Sequence, residues 1–265
     1  MRWILRNKYR LSVSLVILGS VAAAAAGGFA LYRGYRAVLP DVSLLKSAYP
    51  VVVGKDGKDI LFKLSKSRPP RWKSLGEISR FAIKAVLLSE DAGFYQHGAY
   101  DAEAIRAAWE YNRRPGVRIK RGGSTITQQV VKNIFLTPEK TLTRKVRELL
   151  LAIELEHVLS KRKILEIYLN IAEWGPGVYG IDQAARRYFG KSPAELSPRD
   201  AAVLAFMLPN PNRYQHSLRP GGGLSDFGAN RVEAILTRML KAGDISDEEL
   251  SSYLPDKKDP VSSDL

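Results

Sequence analysis

Residues 144–156 read Arg-Lys-Val-Arg-Glu-Leu-Leu-Leu-Ala-Ile-Glu-Leu-Glu. Stepped at 100° per residue from Val146, the stretch gathers Leu149, Leu150 and Ile153 around one face and Leu151, Ala152 and Leu155 around the opposite one. Arg147 and Glu154 fall on one flank, Lys145 and Glu156 on the other. A helix apolar on two faces is expected to lie sandwiched inside a domain. Glu148 projects into the second apolar face, and a carboxylate there must be paired, neutralised or lining a cavity. A buried ion pair without chemistry meets that condition as well as a reactive site does.

The helical pattern extends to both sides of this stretch. Ser74 with Glu77 forms a capping box and predicts a helix running to about Ser89. Ser192-Pro193-Ala194-Glu195 is a second box with proline at the first helical position. Ser197-Pro198 opens a helix that ends before Pro209, Asn230 to Ala242 is amphipathic and stops at Gly243, and Ser246 with Glu249 caps a last short helix. Residues 33–73 read as a connector with short strands, Tyr49 to Val53 and Ile60 to Leu64, around the turn signal Lys55-Asp56-Gly57. The pattern therefore predicts a mainly α domain over 74–254 and a flexible polar tail over 255–265.

A chain of 265 residues accommodates one catalytic domain with an anchor, or two small domains at most. Cysteine is absent, which excludes disulfides, thiolate nucleophiles and zinc–thiolate sites. The net charge of +14 favours a polyanionic partner: nucleic acid, anionic lipid or a diphosphate. Arg2, Arg6, Lys8 and Arg10 precede residues 11–32, which carry no charge, and Arg33 and Arg36 follow them. As a helix those 22 residues reach about 33 Å, enough for a hydrocarbon core. The basic residues 1–10 predict a cytoplasmic N-terminus. A cleaved signal peptide is the alternative, given the small residues at 22–26, but the apolar run is longer than a usual signal core. Either reading exports the domain.

Four blocks of residues carry candidate chemistry. The first is Ser89-Glu90-Asp91-Ala92-Gly93-Phe94-Tyr95-Gln96-His97, closing at Asp101. The second is Gly122-Gly123-Ser124-Thr125-Ile126-Thr127-Gln128-Gln129, followed by Lys132-Asn133. The third is Arg144-Lys145 leading to Glu148. The fourth is Lys163-Ile164-Leu165-Glu166-Ile167-Tyr168-Leu169-Asn170, with Gly175 and then Ala184, Ala185, Tyr188, Phe189, Gly190 and Lys191 further on. In this order the blocks resemble glycosyltransferase family 51, the peptidoglycan glycosyltransferases, over about residues 70–215. One departure stands out: Ala99 takes a place where the family usually has glycine. Two Ser-x-x-Lys matches, at Ser43 and Ser160, lack the companion signatures of a transpeptidase. The chain thus looks like the monofunctional biosynthetic type.

The resemblance implies a lysozyme-like α lobe with a smaller membrane-facing jaw lobe at about 109–135, preceded by one transmembrane helix. It implies polymerisation of lipid II into β-1,4-linked strands, with inversion and release of undecaprenyl diphosphate. A sugar hydroxyl is a poor nucleophile, so a general base helps, and Glu90 matches the family's catalytic glutamate. The diphosphate leaves readily once its charge is neutralised. Lys132, Lys140 and Arg144 stand where the family's basic residues contact it. Glu148 matches the second essential glutamate, and three roles stay open for it: orienting the cations, binding a divalent ion with the diphosphate, or assisting departure.

Other residues of the blocks are candidate substrate contacts. Asp91 either tunes Glu90 or coordinates a metal. His97 reads equally as a substrate contact or as a structural hydrogen-bonding residue. Ser124, Thr125, Thr127, Gln128, Gln129 and Asn133 surround a Gly-Gly turn suited to anions and sugars, although Ser and Thr also cap helices. A divalent cation, Mg or Mn, is a candidate cofactor at the diphosphate. The expected partners are lipid II, the growing lipid-linked strand, membrane lipids and cell-wall assembly and division proteins, with no nucleic acid. The expected location is the inner membrane with the catalytic domain on the outer side, and the family inhibitor moenomycin should occupy the donor side. A lytic transglycosylase or lysozyme-like hydrolase is the nearest rival, since it shares the α lobe and a catalytic glutamate. A non-catalytic wall-assembly scaffold is a second.

Overall fold

The computed structural model describes residues 2–36, 39–56, 59–117, 121–137, 139, 141–219 and 223–253. Lys140, Gly57 of the hairpin turn and the tail 255–265 lie outside them. Contacts divide the chain into two units, Met1–Asp41 and Val42–Leu265. The first unit is helix α1, Arg2–Arg36. Its stretch Leu15–Arg36 has a mean hydropathy of 1.9 and none of it is buried, so this helix is long and apolar enough to cross a bilayer.

The second unit opens with a 3-10 turn at Val42–Lys46 and a hairpin of β1, Tyr49–Asp56, and β2, Asp59–Ser65. The two strands pair antiparallel from Tyr49↔Ser65 to Asp56↔Asp59, with a bulge between Val52 and Gly54. Helices follow: α2, Arg80–Glu90; α3, Ala102–Asn112; α4, Ile126–Phe135; α5, Leu142–Val158; and α6, Lys161–Ile171. A second small hairpin, β3 (Glu173–Gly175) with β4 (Val178–Tyr179), leads into α7, Ile181–Phe189. Helices α8 (Pro198–Met207), α9 (Pro211–Tyr214), α10 (Asp226–Lys241) and α11 (Asp247–Tyr253) complete the unit. The domain is mainly α, as the spacing predicts.

The capping boxes act where the sequence places them, but two of them, at Ser74 and at Ser192, cap 3-10 turns and not α-helices. Ser74 and Glu77 cap only a 3-10 turn, Leu75–Glu77, and the chain then extends at Ile78. The helix restarts behind Ser79, whose N–H donates to the Pro193 carbonyl at 2.9 Å and whose hydroxyl donates to the Leu196 carbonyl at 2.7 Å. Those two bonds to a distant segment outweigh continuation of the first helix. Ser79 then serves as N-cap, accepting from the Phe81 N–H.

The core lies in two groups of three helices. Helix α2 packs against α8 and α10 through Ala82, Ala85 and Val86, Ala201, Ala202 and Ala205, and Ile235, Leu236 and Met239. Helix α4 packs against α5 and α6 through Ile126, Val130 and Val131, Leu151, Ala152 and Leu155, and Ile164, Leu165 and Ile167. Each fully buried Leu or Ile contributes roughly 2 kcal/mol. The sandwich expected for α5 is half made. The face of Leu151, Ala152 and Leu155 is sealed, whereas Leu149, Leu150 and Ile153 on the other face are only half-buried. The 3-10 turn packs against α5 from the connector with Val42 and Leu45 buried, but it is too short to reach the first turns. Leu142 therefore stays 82% exposed and Val146 47% exposed.

Conserving the entry of the connector falls to α6. Asn170 clasps the backbone of Lys73, accepting its N–H at 2.8 Å and donating to its carbonyl at 2.7 Å. Glu166 accepts from the Trp72 indole N–H and from the Lys163 ammonium, both at 2.9 Å. These two residues hold the end of the connector against α6.

Candidate active site

Helix α2 ends at Glu90, so the carboxylate stands where the two helical groups meet. The Gln129 amide nitrogen on α4 donates to the Glu90 carboxylate at 2.9 Å. Burial raises the Glu90 pKa above its ordinary value of 4.5, and the neighbouring Asp91 charge adds to the rise. The Gln129 hydrogen bond and the Lys132 charge oppose it. A carboxylate whose pKa is raised by burial is a stronger proton acceptor than an ordinary one.

Asp91 looks the other way. Its buried carboxylate accepts the Ile126 N–H at 2.9 Å, at the first turn of α4, and lies 2.6 Å from the His97 ring nitrogen Nε2. A negative charge suits that helix terminus. The other His97 nitrogen lies 2.7 Å from the Gly98 carbonyl. His97 therefore braces the turn between α2 and α3. Ala99 is accommodated without strain: no described non-glycine residue has positive φ, and neither does Gly98.

Thr125 caps α4, accepting from the Gln128 N–H, and donates its own hydroxyl to the Ala99 carbonyl at 2.8 Å. Thr127 donates to Glu156, which also accepts from Lys161 at 2.7 Å. Gln128 closes the capping box on Thr125. Thr125, Thr127 and Gln128 are all buried, so the structure places them in the scaffold under the site. Gly123 is small for a reason of packing: a Cβ there would lie 3.0 Å from the Ile105 Cα of α3. Its backbone does not adopt positive φ.

The cations gather on the other side of α4. Lys132 and Asn133 follow Gln129 by three and four residues and so share its face. On α5, Glu148 is 2% exposed and accepts from Arg144 at 2.8 Å and from Lys145. Lys145 also donates to Ser124 at 3.0 Å, joining the Gly-Gly turn to the cluster. Partial desolvation lowers the Lys132 pKa below 10.5. The charges of Arg144 and Lys145 lower it too, while Glu148 and Glu90 both raise it. Adjacent residues of α4 reach toward the two carboxylates: Gln129 donates to Glu90, and Gln128 accepts at 3.5 Å from Lys145, a partner of Glu148, so both acids flank the helix that carries Lys132. The Arg144 Nε–H is buried without a hydrogen-bond partner, a donor ready for an anionic oxygen.

The role of Gln129 as partner of Glu90, and of Glu156 and Lys161 as braces, has no signal in the sequence beyond ordinary helix positions. Lys161 also reaches the Gly98 carbonyl at 3.2 Å and lies over the Phe94 ring at 4.3 Å. Only the approach of α5 and α6 to the turn 91–99 brings these groups together.

Comparison with known proteins follows the same residues. A transglycosylase family profile matches residues 57–240. The biosynthetic peptidoglycan transglycosylase of Bordetella pertussis is 47% identical over 178 residues, covering 66% of this chain and 71% of that protein. The protein of the same name from Alcanivorax borkumensis is 47% identical over 168 residues, covering 63% of this chain and 66% of that one. Penicillin-binding protein 1A of Haemophilus influenzae overlaps at a TM-score of 0.37 with 20% identity, over 78% of this chain and 20% of that one, too little to argue from. The profile takes in every residue placed here around Lys132 and most of the folded body, and on that ground the chain belongs to the transglycosylase family.

Proposed function

We propose that the chain is a peptidoglycan glycosyltransferase that joins lipid-linked disaccharide units into a β-1,4 glycan strand. The observation that carries this reading is the buried Glu148 carboxylate held by Arg144 and Lys145 while the Arg144 Nε–H stays without a partner, with Glu90 bonded to Gln129 on the same helix that bears Lys132. One side of such an arrangement accepts a proton and the other receives negative charge. In the proposed reaction Glu90 takes the proton from the acceptor sugar 4-hydroxyl as its oxygen attacks the anomeric carbon of the donor. The bond from that carbon to the lipid diphosphate breaks, and the carbon inverts. Lys132 meets the departing oxygens as a point charge and Arg144 as a hydrogen-bonding fork. Glu148 aims Arg144 and Lys145 and keeps three clustered cations tolerable in the absence of substrate.

Among the described residues, the candidate divalent-cation ligands are already engaged by the protein. Glu148 is already engaged by two cations. Asp91, His97 and Asp101 offer ligand atoms within 4.8 Å of one another, but Asp91 and His97 are bonded internally through both polar atoms and Asp101 caps α3. The substrates of this reading are lipid II and the growing lipid-linked strand. Helix α1, with Arg2, Arg6, Lys8 and Arg10 at its start, anchors the chain in the inner membrane with the catalytic unit outside. Membrane lipids and wall-assembly and division proteins are the partners that such a location offers.

Incubation of the purified full chain with lipid-linked disaccharide-pentapeptide tests the reading. Growth of polymer supports it. Release of fragments from finished sacculi, with no growth from the precursor, overturns it in favour of a hydrolase.

A further inference from the structure

The Glu90 partner Gln129 is itself held from behind. The Tyr168 hydroxyl on α6 donates to the Gln129 amide oxygen at 3.2 Å, while the amide nitrogen donates to Glu90 at 2.9 Å. Both ends of one amide are therefore occupied within the protein. The direction is dictated by chemistry, because an ionised carboxylate only accepts and an amide oxygen facing it would be repelled. Once the nitrogen faces Glu90, the oxygen must find a donor on its other side, and Tyr168 is that donor.

Tyr168 is well placed for such a duty. It is 1% exposed, and its neighbours Ile167 and Leu169 on α6 are fully buried, so packing fixes the ring. Burial, with the charges of Glu90 and Asp91, pushes its pKa well above 10.0, which keeps the hydroxyl a donor. Gln129 itself is only half-buried, at the edge of the pocket, and without a second anchor its amide would turn over freely.

We propose that Tyr168 is a positioning residue for the general base, acting through Gln129 to keep an N–H donor on the Glu90 carboxylate. Gln129 then belongs to the base rather than to the sugar. The inference rests on Glu90 being the base in the reaction proposed above.

The test is steady-state polymerisation by the full chain in detergent, with lipid-linked disaccharide-pentapeptide as substrate. The variants are Tyr168→Phe, Gln129→Met, the double variant and Glu90→Gln. Tyr168→Phe keeps the ring and removes the hydroxyl, and Gln129→Met keeps approximate volume and removes both amide bonds. The expected result is a fall in kcat of about tenfold for each single variant, with KM unchanged. The double variant should be no slower than Gln129→Met alone, because the two residues act as one unit. Losses that multiply in the double variant, or a rise in KM with kcat intact, would overturn the relay and return Gln129 to sugar binding. Should Tyr168→Phe fail to fold, the kcat and KM of Gln129→Met decide between the same two outcomes. Glu90→Gln separates the levels: if it is dead while Tyr168→Phe is unimpaired, the relay alone falls, and if it is active, the base assignment falls with it.

Discussion

Arg144 and Glu148 lie one helical turn apart on α5 and are joined at 2.8 Å, with the carboxylate 2% exposed. Removing one partner of a buried pair strands the other, which costs more than the pair itself contributes. Glu148→Gln should therefore leave Arg144, Lys145 and Lys132 repelling one another. We expect a fall of about 2 kcal/mol in stability, discounted because Lys145 is half exposed. Polymerisation should fall by about 100-fold as the cations lose their aim. Thermal unfolding and the polymerisation rate measure the two effects, and an active Glu148→Gln enzyme would deny the residue its aiming role.

Glu90→Gln should stop turnover and yet stabilise the fold at neutral pH. The folded pKa of Glu90 is raised above 4.5, mainly by burial. Its contribution to stability is therefore present below 4.5 and lost as pH rises through the folded value. At pH 7 the ionised side chain is a burden that the amide lacks. The variant's midpoint of thermal unfolding should exceed that of the parent at neutral pH, and the gap should close as pH falls to the ordinary carboxylate range. The acid limb of kcat/KM for the parent should lie above 4.5, since the base works only when ionised.

Lys132→Ala should weaken a diphosphate-bearing donor more than a sugar fragment without diphosphate. Partial desolvation, with repulsion from Arg144 and Lys145, lowers the Lys132 pKa below 10.5. Donor binding by the parent should accordingly decline on the alkaline side before 10.5 is reached. Calorimetric titration of both ligands across pH checks the pair of expectations, and equal losses for the two ligands would contradict the role.

Gly180→Ala should be a damaging small change away from the site. Its φ is +81°, and a Cβ would stand 2.6 Å from the backbone oxygen of Asn170. Strain and clash together should cost about 3 kcal/mol, read as a lower thermal midpoint. Gly122→Ala, where nothing lies within 4 Å of the added carbon, is the matched control with little effect.

The sequence made the helical class legible because its start signals are local. Ser197 and Ser246 each announce a helix within four residues, and each does cap one, whereas Ser192 caps only the 3-10 turn Pro193–Glu195. Ser74 misleads about length, since the break at Ile78 is set by Pro193 and Leu196, more than 100 residues away. The hairpin of β3 and β4 is too short for periodicity to register; only Gly175-Pro176-Gly177 hints at its turn. In the site, the carboxylates and cations are readable as blocks, but their assignment to pocket or scaffold is not. Thr127 and Gln129 are two residues apart on one helix, yet one turns to Glu156 and the other to Glu90. That division depends on which neighbouring helix each face meets.

Asp91 grips the first amide of α4, and Glu90 is its neighbour in the chain. Hence Glu90 and the helix bearing Lys132 share a joint at the turn 91–99. An insertion or a strained substitution in that turn would displace the two together and not open a gap between them.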